Sequence, residues 1–127
     1  MAKRQTIHTP PVVHRNPLPM AARVGPLLCT SAIYGADPET GKMPGSVEEE
    51  VQNAFRNLRV VLEKAGGTPA DLAQLRIRLR ERSYGEHINA PWLEMFPNED
   101  DRPARLTVVE AGLPQSIQMD AIAYIEG

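Results

Sequence analysis

The strongest hydrophobic pattern lies between residues 46 and 66. Val47, Val51, Ala54, Phe55, Leu58, Val61, Leu62 and Ala65 recur at three- and four-residue steps, the spacing of a helix that buries one face. Ser46 stands ahead of this run with Glu49 three residues on, the spacing of a capping box. Gly66 and Gly67 end it, because glycine reaches φ > 0 without strain. The period then changes. Leu75, Ile77 and Leu79 alternate with Arg76, Arg78 and Arg80, which predicts a half-buried strand.

Three other segments read as strands. Leu27 to Tyr34 is an apolar run, with Thr30 and Ser31 inside it, that predicts a strand buried on both faces. Arg105 to Glu110 is a second. Ile117 to Ile125 is a third, with Met119, Ala121 and Ala123 on one face and Asp120, Ile122 and Tyr124 on the other. A shorter helix is predicted over His87 to Phe96, with Trp92, Leu93 and Phe96 as its buried set. Pro91 fits only the first turn, so this helix starts late or kinks. Turns fall at Asp37-Pro38-Glu39-Thr40-Gly41 and at Gly112-Leu113-Pro114. The order strand, helix, strand, helix, strand, strand predicts an α+β domain with helices on one side of a mixed sheet. The sheet face carrying Ile122 and Tyr124 would then be too apolar to leave in water, which implies an oligomer.

Composition narrows the picture. The 127 residues are 42 % hydrophobic, enough for one core, and no repeat, low-complexity tract or linker divides residues 1–127. Pro10, Pro11, Pro17, Pro19 and Pro26, five of 12 prolines, predict extended segments and turns in the N-terminal quarter. The formal net charge of −2 does not suit a chain built to attract polyanions. No apolar h-region follows Met-Ala-Lys-Arg, and the apolar stretch from Val24 to Cys29 is too short to span a bilayer. The single cysteine excludes an internal disulfide. A cytoplasmic location without a membrane partner is the expectation.

Candidate chemistry is sparse. His8, His14 and His87 have no ligand-type spacing with one another or with acids, so no metal is expected. His87 reads as a surface or capping residue. Cys29 and Ser31 share a predicted strand, but no nucleophile elbow is present; Cys29 reads as a small buried hydrophobe. The glycines are scattered and form no phosphate loop. Arg76, Arg78, Arg80 and Arg82 would project from one side of one strand. That stripe fits a nucleic-acid surface; it equally fits a charged face paired with Glu48, Glu49 and Glu50, or one facing another subunit. The remaining signal is Arg102-Pro103-Ala104-Arg105 before a strand pair that ends in Asp120-Ala121-Ile122-Ala123. An arginine so placed is commonly a structural ion pair, yet its planar fork also suits a carboxylate ligand.

Taken in order, these pieces resemble the RidA (YjgF) family of enamine/imine deaminases. The resemblance runs from about Pro17 to Ile125. It is carried by Leu28-Cys29-Thr30-Ser31, the Asp37 to Gly41 loop, the helix with Gln52, Asn57, Leu58 and Leu62, Ile88-Asn89-Ala90 with Phe96-Pro97, Pro103-Ala104-Arg105, Leu113-Pro114 and Ala121-Ile122-Ala123. It implies a chorismate-mutase-like fold, two helices on one face of a mixed sheet, and a homotrimer with small-acid sites between subunits. It implies hydrolysis of 2-aminoacrylate or 2-iminobutyrate to keto acid and ammonia, without a cofactor. Residue by residue, Arg105 matches the arginine that clamps the substrate carboxylate, and Ser31 and Asn89 match pocket positions. Thr107 stands where many members have cysteine. Asp120 stands where well-known members have the glutamate that orients or activates water; it is one methylene shorter. Leu18 replaces a pocket tyrosine and Ala32 a glycine, which implies an altered substrate shape or weaker activity. Two other readings remain: a non-catalytic small-acid sensor, and an RNA-acting protein supported only by the arginine stripe.

Overall fold

The computed structural model describes residues 3–126. Seven strands form one mixed sheet. They are β1 (Arg4–Ile7), β2 (Ala21–Val24), β3 (Leu27–Thr30), β4 (Ile33–Tyr34), β5 (Leu72–Leu79), β6 (Ala104–Val109) and β7 (Ile117–Tyr124). Their order across the sheet is β1-β2-β3-β7-β5-β6, with β4 pairing β7 beyond the end of β3. β6 runs parallel to β5; the other pairings are antiparallel. Two helices, α1 (Val47–Lys64) and α2 (Asn89–Met95), cover one face.

Helix α1 forms as its periodicity predicts. The Ser46 hydroxyl accepts from the Glu49 amide at 3.2 Å, and Gly66 adopts φ 88 just past the end. Val51, Ala54, Phe55, Leu58, Val61 and Leu62 are buried. So, however, are three polar residues of this helix, Glu50, Asn53 and Asn57. They serve backbone rather than solvent. Asn57 Nδ2 donates to the carbonyls of Tyr34 and Ala36, both at 2.8 Å, and Asn53 Nδ2 to that of Gly35. Glu50 Oε2 accepts the Ser116 amide at 2.8 Å. The chain after β4 therefore lies hard against α1. A Cβ at Gly35 would come 2.0 Å from the Glu50 carbonyl oxygen, so only glycine fits there.

Strand β5 alternates as expected, with Leu75, Ile77 and Leu79 in the core. Other expectations need correction. The Leu27–Tyr34 run is not one strand buried on both faces. It breaks at Ser31-Ala32 into β3 and β4, and Leu27 and Cys29 are exposed. Cys29 is thus not a core residue. Leu93 is 49 % exposed, because on α2 it points away from Trp92 and Phe96. Helix α2 begins at Asn89, with Pro91 in its first turn, and a 3-10 helix over Arg82–His87 leads into it. Arg82 has therefore left the strand, and Arg80 lies one residue beyond it. The N-terminal quarter supplies two strands, β1 and β2, where extended segments and turns were predicted.

The uncovered sheet face carries an apolar patch beside the Arg76, Arg78 and Asp120 positions. The pairing register sets Val24, Leu27, Cys29, Ile122 and Tyr124 on this side, and Tyr124 is 57 % exposed. Edge strand β6 is exposed along its whole length, adding Leu106 and Val108. Such a face, next to an unpaired strand edge, is a surface that other chains can pair with or cover. Among the described residues no helix is long and apolar enough to cross a membrane.

Candidate active site

Arg105 is the second residue of β6. Its register partner is Leu75, so it lies on the helix-covered side of the sheet. Two residues one turn apart on α2 meet it there. The guanidinium carbon sits 4.8 Å from the centre of the Trp92 ring, and Nη1 donates to Asn89 Oδ1 at 3.2 Å. Trp92 is itself fixed by Phe96, its ring centre 4.8 Å away. A guanidinium carries five N–H donors, and one of them serves Asn89. The Trp92 ring backs it, and among the described residues Asn89 is the one hydrogen-bond partner of its side chain. A guanidinium held in this way can take a planar anion. Thr107 follows two residues along β6, on the same side.

Asp120 lies elsewhere. It sits on the opposite side of the sheet, paired across β5–β7 with Arg76. Arg76 Nε donates to Asp120 Oδ1 at 2.6 Å, and Arg78 Nη1 lies 3.8 Å from Oδ2. The acid facing the arginine stripe is thus Asp120, and not the expected Glu48, Glu49 or Glu50. Ser31 and Ala32 fall at the break between β3 and β4, where both strands run beside β7. That places them next to the stretch around Asp120, where the Thr30 hydroxyl accepts the Ala121 amide at 2.9 Å. The Ser31 amide donates to the Met20 carbonyl, which ties this group to Leu18. Leu18 lines a cleft of about 420 Å³ with His8, His14 and Asn16. The Nε2 of His14 is buried there without a hydrogen-bond partner.

The seven candidate residues therefore form two groups. Arg105, Asn89 and Thr107 belong to the outer edge beside α2. Leu18, Ser31, Ala32 and Asp120 belong to the other part of the sheet, around β3, β4 and β7. Strands β5 and β7 separate Arg105 from β3, about 14 Å at ordinary strand spacing. One chain does not bring the groups together. Among the described residues no cluster of His, Cys, Asp or Glu could hold a metal.

Comparison with known proteins agrees with this architecture. A family model described as endoribonuclease L-PSP matches residues 11–125. The chain belongs to this family, the RidA family. A RidA-family relative from Dermatophagoides farinae, described as a 2-iminobutanoate/2-iminopropanoate deaminase, is 30 % identical over 133 aligned positions, covering 99 % of this chain and 100 % of its own. A RutC family protein of Pyrococcus abyssi is 30 % identical over 114, covering 87 % and 88 %. The crystal structure of RidA from an Antarctic Psychrobacter superposes with a TM-score of 0.83 at 25 % identity, covering 98 % of this chain and all of that one. The RidA fold is thus the fold of this chain, as its residue pattern implied. What sequence reasoning missed is the support around the site. Trp92 read only as core, and Asp120 gave no sign of its tie to Arg76. The alternation of β5 and β7 held that second signal, once their register was known.

Proposed function

We propose that this protein hydrolyses small enamine or imine acids to 2-keto acids and ammonia. The observation that carries the reading is Arg105, held by Asn89 and Trp92 with most of its fork unused. Two relatives described as 2-iminobutanoate/2-iminopropanoate deaminases, at 26 % and 30 % identity, support the reaction class. In this reading the guanidinium grips the substrate carboxylate through paired hydrogen bonds. Water adds to the carbon of the C=N group while Asp120 takes a water proton. A proton passes to nitrogen, and the C–N bond breaks to release ammonia and leave the ketone. The clamp supplies proximity and orientation.

The separation of the two residue groups supports a site shared between copies. Arg105 on the edge of one chain would meet Asp120, on the uncovered face of the next, and its neighbours Ser31, Ala32 and Leu18. Two different surfaces meet in such a contact, and contacts of that kind form rings where the rotation between copies closes. A homotrimer is the ring this reading takes. It would also cover Leu27, Ile122 and Tyr124.

One observation favours a second reading. Asp120 is already engaged by Arg76 at 2.6 Å, which competes with its use as a base. Bound in that way, the protein would hold a small acid without turning it over. The arginine stripe gives little to an RNA-acting reading, since Arg76 and Arg78 face Asp120 and Arg82 has left the strand.

The test is a coupled assay. Threonine dehydratase generates 2-iminobutyrate, and keto-acid appearance is timed with and without this protein. Acceleration that vanishes in folded Arg105→Ala supports the deaminase. A folded wild type that binds 2-ketobutyrate yet accelerates nothing makes it the binding module.

A further inference from the structure

A second cavity lies on the other flank of α2. It occupies about 350 Å³ between the two helices, within the range of small-molecule sites. Its wall on α1 is Gln52, Phe55, Arg56 and Arg59; its wall on α2 is Ala90, Pro91, Glu94 and Met95. These spacings are single ridges of each helix, so the cavity is the groove where the helices part. The floor is apolar, since Phe55 is buried and Met95 packs on the core. The rim is charged and of two signs. Arg56 gives one N–H to Asn53 Oδ1 at 2.9 Å. Among the described residues, Arg56, Arg59 and Glu94 form no ion pair with each other or with any other group.

We infer that this groove is a binding site for a free α-amino acid with an apolar side chain. A zwitterion matches both rims at once: its carboxylate faces Arg56 and Arg59, its ammonium faces Glu94, and its side chain covers Phe55 and Met95. A plain anion would leave Glu94 opposed to it, and a plain amine would face two arginines. The groove lies on the helix side of the sheet, away from the uncovered face, and it backs the helix that carries Asn89 and Trp92. The inference does not depend on imine hydrolysis.

The experiment is calorimetric titration of L-leucine into the full chain, as wild type and as Arg105→Ala, so that the Arg105 site cannot supply the heat. The expected result is saturable binding, one per chain, equal in both proteins. Arg59→Ala and Glu94→Gln, each exposed helix positions that tolerate the change, should weaken it at least about tenfold, the scale of one lost charge-assisted contact. The keto acid 4-methyl-2-oxopentanoate, which lacks the ammonium, should bind Arg105→Ala weaker by at least about the same factor. The inference is overturned by absence of saturable heat, by binding indifferent to both substitutions, by equal binding of the keto acid, or by loss of leucine binding in Arg105→Ala.

Discussion

Asn57→Ala should destabilise the protein well beyond the size of the group removed. Asn57 is 3 % exposed, and its one amide nitrogen serves two carbonyls, of Tyr34 and Ala36. Alanine removes both donors and offers nothing in return to the loop. A buried polar group left unpaired costs about 1–3 kcal/mol. The Ala36 carbonyl belongs to a fully buried residue and takes the middle of that range, about 2 kcal/mol. The Tyr34 carbonyl is partly accessible, so water can replace the donor and about 1 kcal/mol remains. Alanine recovers roughly 0.5 kcal/mol through better helix propensity. The net loss is about 2.5 kcal/mol, which for a chain of this size lowers Tm by roughly 10 °C. Urea unfolding followed by far-UV circular dichroism measures it, with protein concentration held constant because association shifts the midpoint. Gln52→Ala, an exposed position on the same helix, is the control and should stay within about 0.5 kcal/mol. If the two variants unfold together, the loop after β4 finds other partners, and the account of why α1 buries polar residues is wrong.

Three more outcomes follow from the geometry. Arg105→Lys keeps the charge but loses the fork and the stacked plane, so kcat/KM for 2-iminobutyrate should fall at least about tenfold; unchanged kinetics would mean that a point charge is enough. Arg76→Gln should change stability by less than about 1 kcal/mol, because the Arg76 side chain is 51 % exposed and such pairs are weak; a larger loss in the urea experiment would show that the pair is buried by assembly. Tyr124→Lys sets a charge on the apolar patch of the uncovered sheet face, opposite Leu27, and sedimentation velocity should then report a smaller particle than wild type. A particle of unchanged size would place the contact between copies elsewhere.

The parts of the fold that could be read from the sequence are those whose period is unmixed. Helix α1 and strand β5 have one wet and one dry side, so their patterns are clean. Strand β3 has apolar residues on both sides because its part of the uncovered face is itself apolar, and for that reason Cys29 read as core. Strands β1 and β2 are four residues each, and Arg4-Gln5-Thr6 or Ala21-Ala22 has little strand character alone; pairing of β2 with β3, and of β1 with β2, makes them strands. Arg105 was singled out through the ordered resemblance. Its platform was not, because a tryptophan in a short helix looks the same whether it only fills the core or also presents a ring to a guanidinium. The pairing of Asp120 with Arg76 depends on the β5–β7 register, which joins residues 44 positions apart and which no local pattern encodes.

Cys29 gives the uncovered face a chemical gauge of its own. It is the sole cysteine of the chain, it is exposed, and it sits directly across from Ile122 on that face. Where copies pack there, the thiol is sealed from reagents. Its rate of alkylation then reports how often that packing opens, as a clock read from one native sulfur.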